Sequence, residues 1–589
     1  MEANSESRSA GGAATPEGAG YALTTIKQLT ALSSALDGLT FLLSTSNPTL
    51  PSEVLRAKTI HQIADYLVPR LENLHAPLLI VVGGSTGAGK STLVNSLLGE
   101  TVSASGAVRP TTRVPVLAYN PADSSWFEDR RVLPALRRLS YSGNQPDDAK
   151  SKAQAVQLAP HAKVPSGIAI IDAPDIDSIS DENRALAAQL LNAADLWIFV
   201  TTANRYADAL PWDLLTEAGA RNITVSIVLN RVPVGAQVEI LPDLERLLNE
   251  KGLGSSALHV IHEMELGERK LLPEEVTQPI SNWLGALAGD AQERKRIAVQ
   301  TLDGALKRSV ADVNELYAEL KDQEAQLQEL LLGVDQRFNQ AMDVMKSALK
   351  DGTLLRGEIL ARWQDFVGAG ELLRGIEGSV GRIRDRIGSF FSGRPPASNR
   401  VEQAIETGLH AIFVAEITEA ADNLDRVWRT TPIGQELSRE LPTPRLPADL
   451  SELASRSVRE WQNDILTMIR EEGAGKRKTA RMAAFGVNGI AVILMVVVFA
   501  STAGLTGLEL GIAGGSAVVG QKLLEAIFGE DAVRRMAARA SGMLEERASE
   551  LIDVNADVYR NVIKSCQQPE ELGALAEFIG AQGQKGQHV

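Results

Sequence analysis

Gly84-Ser85-Thr86-Gly87-Ala88-Gly89-Lys90-Ser91 places glycines, a lysine and a hydroxyl at the spacing G-x-x-x-x-G-K-[ST] of a phosphate-binding loop. Glycines let the backbone turn so that successive N–H groups point at a polyphosphate, and a following helix adds positive potential from its N-terminus. In such a loop Lys90 reaches the β- and γ-phosphates and the Ser91 hydroxyl holds Mg²⁺. An ordinary glycine turn could carry similar residues, so the flanks matter. An apolar strand-like run, Pro77-Leu78-Leu79-Ile80-Val81-Val82, precedes the loop. A helix-like run, Thr92-Leu93-Val94-Asn95-Ser96-Leu97-Leu98, follows it and is closed by Gly99. Residues 84–92 are therefore the expected phosphate cradle.

Other chemistry-bearing residues follow in a fixed order. Thr111-Thr112-Arg113 stands about twenty residues beyond Lys90, where P-loop GTPases keep a first switch. The Thr112 hydroxyl and carbonyl can complete a Mg²⁺ shell there, and Arg113 is a candidate for stabilising transferred charge. The run Ile168–Ile171 delivers Asp172 at a strand end, where a carboxylate can hold the same metal. Asp172-Ala173-Pro174-Asp175 has the spacing of D-x-x-G, but Asp175 stands in the glycine's place. It keeps an N–H, with less backbone freedom and a charge that repels phosphate. Asn230-Arg231-Val232-Pro233 occupies the position of N-K-x-D. Asn230 fits, and the Arg231 guanidinium can lie over a base as a lysine stem does. Pro233 cannot replace the aspartate that accepts hydrogen bonds from guanine, so GTP and ATP both remain open on these residues. His259-Val260-Ile261-His262-Glu263 takes the place of a last base-contacting loop without matching it.

Positioning these residues requires a sheet. Apolar, β-branched runs recur at residues 114–118, 168–171, 196–200, 225–229 and 258–261, with helix-like segments such as 183–193 and 211–220 between most of them. This alternation predicts an α/β domain over residues 77–288 with a mostly parallel sheet and helices on both faces. The whole chain has 589 residues, too long for one core. Its 59 basic and 74 acidic residues leave a net charge of −15, which argues against nucleic acid as a partner and against bulk attraction to anionic lipid. Cys566 is the only cysteine and can form no internal disulfide.

Helical patterns surround this domain. The expected layout is a disordered tail over residues 1–21, N-terminal helices packing on a bundle over 22–76, and a helical bundle or stalk over 289–475. C-terminal helices over 523–580 return to the bundle, followed by a tail over 581–589. Val313, Leu316, Leu320, Gln323, Leu327 and Leu330 fall on alternating three- and four-residue steps, the seam of a short coiled coil or bundle. Within residues 476–522 lies a 23-residue run without a charge, 482–504, which as a helix covers roughly 35 Å, enough for the hydrocarbon core of a bilayer. Lys476, Arg477, Lys478 and Arg481 precede it. Lys522, Arg534, Arg535 and Arg539 follow a second apolar segment, 505–520, which carries Glu509 and glycines at four-residue steps. Basic residues on both outer flanks predict a membrane hairpin with both ends in the cytoplasm. A span, a re-entrant segment and an interfacial helix remain alternatives for the second leg. Ile383–Phe391, with basic residues beside Phe390-Phe391, reads either as an interfacial segment or as a bundle corner.

The P-loop, Thr112-Arg113-Val114-Pro115, Asp172 and Asn230 in this order, with long helices and a membrane segment behind them, resemble a bacterial dynamin-like protein. Thr112-Arg113-Val114-Pro115 is similar to the T-R-x-P first switch of that family. The resemblance by motif covers roughly residues 78–263; the helices match in layout alone. It implies an α/β P-loop GTPase domain on a long α-helical stalk with a membrane hairpin, binding Mg²⁺ through Ser91, Thr112 and Asp172 and hydrolysing GTP. It also implies dimers or oligomers through the GTPase domain and stalk, a paralogous chain as a further partner, membrane lipids as the surface acted on, and a place at the cytoplasmic membrane. One departure bears on rate. A Gln-Ser pair of the dynamin P-loop is replaced by Thr86 and Gly87, so hydrolysis is expected to be slow. A membrane-anchored regulatory switch and a P-loop ATPase are the competing readings. An ABC-type ATPase is disfavoured because no L-S-G-G-Q-like signature occurs and no glutamate follows Asp172.

Overall fold

The computed structural model describes residues 16–44, 50–103, 114–140, 155–178, 181–350, 396–443, 445–447, 449–473, 524–525 and 528–585. Thr112, Arg113, the segment 383–391 and the whole of 476–522 lie outside the described residues. Among the described residues, no helix is long and apolar enough to cross a membrane. The chain divides into two units, residues 1–321 with 568–589, and residues 322–567.

The first unit is built on an eight-stranded sheet of order β3-β4-β2-β5-β1-β6-β7-β8. Its strands are β1 Leu78–Gly84, β2 Val116–Tyr119, β3 Arg137–Ser140, β4 Ala155–Pro160, β5 Ile168–Asp172, β6 Leu196–Thr202, β7 Thr224–Val232 and β8 Ala257–His262. Six of the seven pairings are parallel. The exception is β2 against β5, so β2, β3 and β4 run opposite to the other five. The expected mostly parallel sheet is present, with two additions. These are β3 and β4, where Arg137-Arg138 and Gln157 break the apolar run that marks a central strand.

Continuous apolar strands arise because both faces are covered. Leu79, Val81, Trp197, Phe199, Val225 and Ile227 point into one core, shared with Leu190 and Leu191 of helix Asp181–Asn192 and with Leu244 and Leu248 of helix Gln237–Glu250. Leu78, Ile80, Val82, Ile170, Ile198 and Val200 point into the other. There they meet Leu93, Val94 and Leu98 of helix Lys90–Leu98 and Ile280 and Leu284 of helix Glu274–Gly289. Successive side chains of β1 thus alternate between the two cores, as strand geometry demands.

The first of these cores reaches well beyond residues 77–288. Leu29, Leu32 and Leu36 of helix Pro16–Gly38, Ile63, Tyr66, Leu67 and Leu71, Val313, Leu316 and Leu320 of helix Ala291–Lys350, and Leu575 and Phe578 of helix Pro569–Lys585 all join it. The N-terminal segment 22–76 therefore shares its core with the sheet. The C-terminal segment 523–580 is divided: helix Glu530–Ser565 belongs to the second unit, and helix Pro569–Lys585 to the first. Pro569 at the start of the new helix explains the break, since proline suits the first helical turn and forbids a continuing one.

Within the second unit, Trp461 donates from Nε1 to the Ala540 carbonyl at 2.9 Å. Trp428 meets the edge of Tyr559 with ring centroids 5.4 Å apart. Arg560 joins Asp335 at 2.8 Å. Leu327 is fully buried, Leu330 and Gln323 nearly so, so this part of the predicted apolar line is covered along the 60-residue helix Ala291–Lys350.

One buried carboxylate stitches the first unit. Asp195, fully buried ahead of β6, accepts from the Leu79 amide at 2.8 Å, from the Tyr66 hydroxyl at 3.1 Å and from the Arg70 guanidinium. Asp195→Ala would leave Arg70 buried without its counter-charge. The expected cost is about 3–5 kcal/mol of unfolding free energy, read as a lower denaturant midpoint.

Candidate nucleotide site

The strand ends converge where the sequence places its chemistry. β1 and β5 are parallel neighbours with Val82 opposite Asp172, and β6 flanks β1 with Val200 opposite Gly84. The C-terminal ends of β1, β5, β6 and β7 thus lie side by side, where open α/β sheets bind ligands.

The loop after β1 has the backbone of a phosphate cradle. Gly84, Gly87 and Gly89 have φ of 147°, 79° and 98°, a region that disfavours other residues. A Cβ on Gly84 would lie 2.0 Å from the Val200 carbonyl, and one on Gly89 would lie 2.4 Å from Nδ2 of Asn230. The fit is independent of any family pattern: glycine is required where β6 and β7 press against the loop. Gly87 is exposed, Thr86 partly exposed, and the buried Ser85 hydroxyl makes no hydrogen bond. Ser91 and Thr92 stand partly exposed in the first turn of helix Lys90–Leu98.

Lys90 is 5% exposed. Its ammonium donates to the Gly84 carbonyl at 2.9 Å, to the Ser85 carbonyl at 3.0 Å and to Oδ1 of Asp175 at 2.5 Å. Asp172, also buried, accepts from the Ser103 hydroxyl at 2.5 Å. Ser103 is in turn held by Asn95, whose side chain donates to the Ser103 carbonyl at 2.7 Å and accepts from its amide at 2.9 Å. Among the described residues there is no cluster of three or more histidines, cysteines or acids that could hold a metal ion. The oxygen donors Ser91 and Asp172 suit Mg²⁺, which takes few protein ligands and completes its shell with phosphate and water.

Asn230 is buried at a register shift between β7 and β8, an irregularity that re-aims a side chain. Its Nδ2 donates to the Ala88 carbonyl at 2.8 Å and its Oδ1 accepts from the Arg231 amide at 2.9 Å. The residue therefore clamps the P-loop to β7. Arg231 is exposed with φ of 55°.

A second set of side chains, absent from the sequence motifs, also holds the loop. Asp177 accepts both the Thr86 amide and the Thr86 hydroxyl on Oδ1, each at 2.6 Å, and pairs with Arg205 through Oδ2 at 2.8 Å. Arg205 also donates to the Thr86 carbonyl at 3.1 Å and to Asp208 at 2.8 Å. Burial pushes the Asp177 carboxyl up, but the Thr86 and Arg205 bonds outweigh it and hold it below the usual carboxylate range. Asp177, two residues beyond Asp175, carried a readable signal in the acidic run. Arg205, in the turn after β6, carried none that separates it from any surface arginine.

A strand, a glycine loop with a buried lysine, a helix, and a carboxylate on the neighbouring strand define a P-loop nucleotide-binding domain. Residues 80–231 match the model of the dynamin family. A probable transmembrane FZO-like GTPase of the chloroplast of Arabidopsis thaliana is 27% identical over 150 residues. That stretch is 26% of this chain and spans 14% of the relative's length. One similar solved structure is of an oligomerised bacterial dynamin pair that tethers membranes, with 11% identity, a TM-score of 0.42, and coverage of 90% of this chain and 95% of that one. Another is of Toc33 from Arabidopsis thaliana with GDP and Mg²⁺, with 17% identity, a TM-score of 0.24, and coverage of 41% and 94%. At these scores neither likeness carries an argument about this chain.

Asn230→Asp would set a carboxylate against the Ala88 carbonyl and release the loop from β7. The expected result is roughly tenfold or greater loss of nucleotide affinity in a fluorescent-nucleotide titration, with the unfolding temperature little changed.

Proposed function

We propose that the chain is a slow, dynamin-like GTPase that acts at the bacterial cytoplasmic membrane to remodel, tether or organise it. The observation that carries the nucleotide part is the buried Lys90 ammonium in a glycine-built loop, beside Asp172 on the next strand. In this reading Lys90 binds the β- and γ-phosphates. Ser91, Thr112 and Asp172 hold Mg²⁺, which when bound neutralises charge on the transferred phosphoryl group. The backbone of residues 84–89 cradles the phosphates, and Ser91 and Thr92 face them from the helix N-terminus. Asn230 fixes the loop, Arg231 covers the base, and Arg113 steadies charge in cis or across a dimer. Hydrolysis is slow because Thr86 offers no carboxamide to orient water.

The membrane part rests on the sequence. The uncharged run 482–504 with basic outer flanks supports an anchor that keeps the nucleotide domain on the cytoplasmic side. Dimers or larger assemblies through the GTPase domain and the long helices, with a second copy or a paralogous chain, complete the proposal.

Two experiments test it. In displacement of a labelled GTP analogue, GTP is expected to compete at clearly lower concentration than ATP, and Lys90→Ala to weaken binding roughly tenfold to a hundredfold without loss of fold. Equal displacement by ATP would favour the ATPase reading, for which Pro233 is the motive. Removing residues 482–520 is expected to move the protein from the membrane pellet to the soluble fraction with nucleotide binding intact. An intact chain already soluble in low salt without detergent would end the membrane proposal.

A further inference from the structure

Lysine has three N–H donors, and all three of Lys90 are engaged: two on loop carbonyls and the third on Asp175. A phosphate oxygen that takes this ammonium must replace one of these acceptors. The carbonyls of Gly84 and Ser85 belong to the loop itself, so the exchangeable partner is the Asp175 carboxylate, which is 37% exposed. A second contact repeats the arrangement. Asp177 holds both the amide and the hydroxyl of Thr86 and is braced by Arg205. The segment after β5 thus lays two carboxylates, two residues apart, on P-loop donors that a polyphosphate would use.

We propose that Asp175 sets the balance between di- and triphosphate in this site by competing with the terminal phosphate for Lys90. The proposal rests on the nucleotide reading given above. Carboxylate and phosphate are both oxyanions and form charge-assisted hydrogen bonds of similar kind to an ammonium. A terminal phosphate that reaches toward Lys90 meets the Asp175 charge, with the Asp177 carboxylate two residues further along the same segment. A diphosphate carries less charge toward them and retains the loop amides. Triphosphate binding therefore requires the segment Ala173–Ser178 to swing its carboxylates fully away, with Asp172 left in place at the end of β5, whereas a diphosphate, bringing the β-phosphate alone to Lys90, displaces them less. The glycine found at this position in D-x-x-G could not compete, having no side chain.

The test measures GDP and GTP affinity, the latter with a non-hydrolysable GTP analogue, for the full-length protein and for Asp175→Asn, which keeps shape and removes charge. The expected result is an analogue affinity raised roughly tenfold or more with GDP affinity changed less than about threefold, so that the ratio moves. Asp175→Gly is expected to move the ratio in the same direction, and Asp177→Asn to move it less. Equal changes for both nucleotides, or a weakened analogue, would overturn the proposal while leaving the nucleotide site standing. No binding of either nucleotide to the unmodified protein would instead remove the site reading on which the proposal depends. A thermal unfolding curve for each variant separates misfolding from altered preference, because Asp175→Asn leaves the packing of Ala173 and Ile176 untouched.

Discussion

Everything in the first unit hangs on one buried carboxylate. Asp195 receives the amide of Leu79 at the start of β1, the hydroxyl of Tyr66 and the guanidinium of Arg70. Its own carbonyl accepts from the Thr301 hydroxyl at 3.1 Å. Three regions far apart in sequence, the helical residues 63–72, the central strands and the start of the long helix Ala291–Lys350, thus meet at one residue. A charge so deep is tolerated because a cation and two further donors face it. The cost of disturbing it holds the base of β1 in register, and β1 delivers the P-loop at its other end.

From that fixed base the site follows by geometry. Parallel strands end on the same side, so Gly84, Asp172, Val200 and Asn230 arrive together without any being neighbours in sequence. Gly84 and Gly89 are demanded by what presses on them, the Val200 carbonyl and the Asn230 amide. Asn230 then returns the favour by donating to Ala88. The loop is shaped by its neighbours as much as by its own glycines, and the acidic segment after β5 closes it from the outer side.

What could be read from the chain divides along physical lines. Strands buried on both faces must be apolar throughout, so β1, β5, β6 and β7 declared themselves. β3 and β4 did not, because arginine and glutamine interrupt them. The glycine loop was legible because backbone torsions restrict residue choice directly. The partners of its donors were not: that Asp177 takes Thr86, that Arg205 braces Asp177, and that Ser103 holds Asp172 are contacts created by folding, between residues whose types are common on any surface. The helices of residues 22–76 read as packing on a bundle, and their cover is the sheet as well as the long helix. Asn230 was legible by place, whereas its bond to Ala88 depends on the irregular register beside it.

The division of the C-terminal helices at Pro569 has a temporal consequence. Leu575 and Phe578 sit fully or almost fully buried in the same core as Leu29, Leu79 and Trp197. A chain growing on the ribosome can pair β1 with β5 and β6 early, but the face of that core stays incomplete until residues nearly five hundred positions later emerge. The loop that must close is long, and its entropic cost rises only slowly with length, so the delay is set by synthesis more than by search. During that interval the strip of helix Pro16–Gly38 that faces helix Pro569–Lys585 lacks its cover. The nucleotide unit thus begins before the second unit is made and is completed after it.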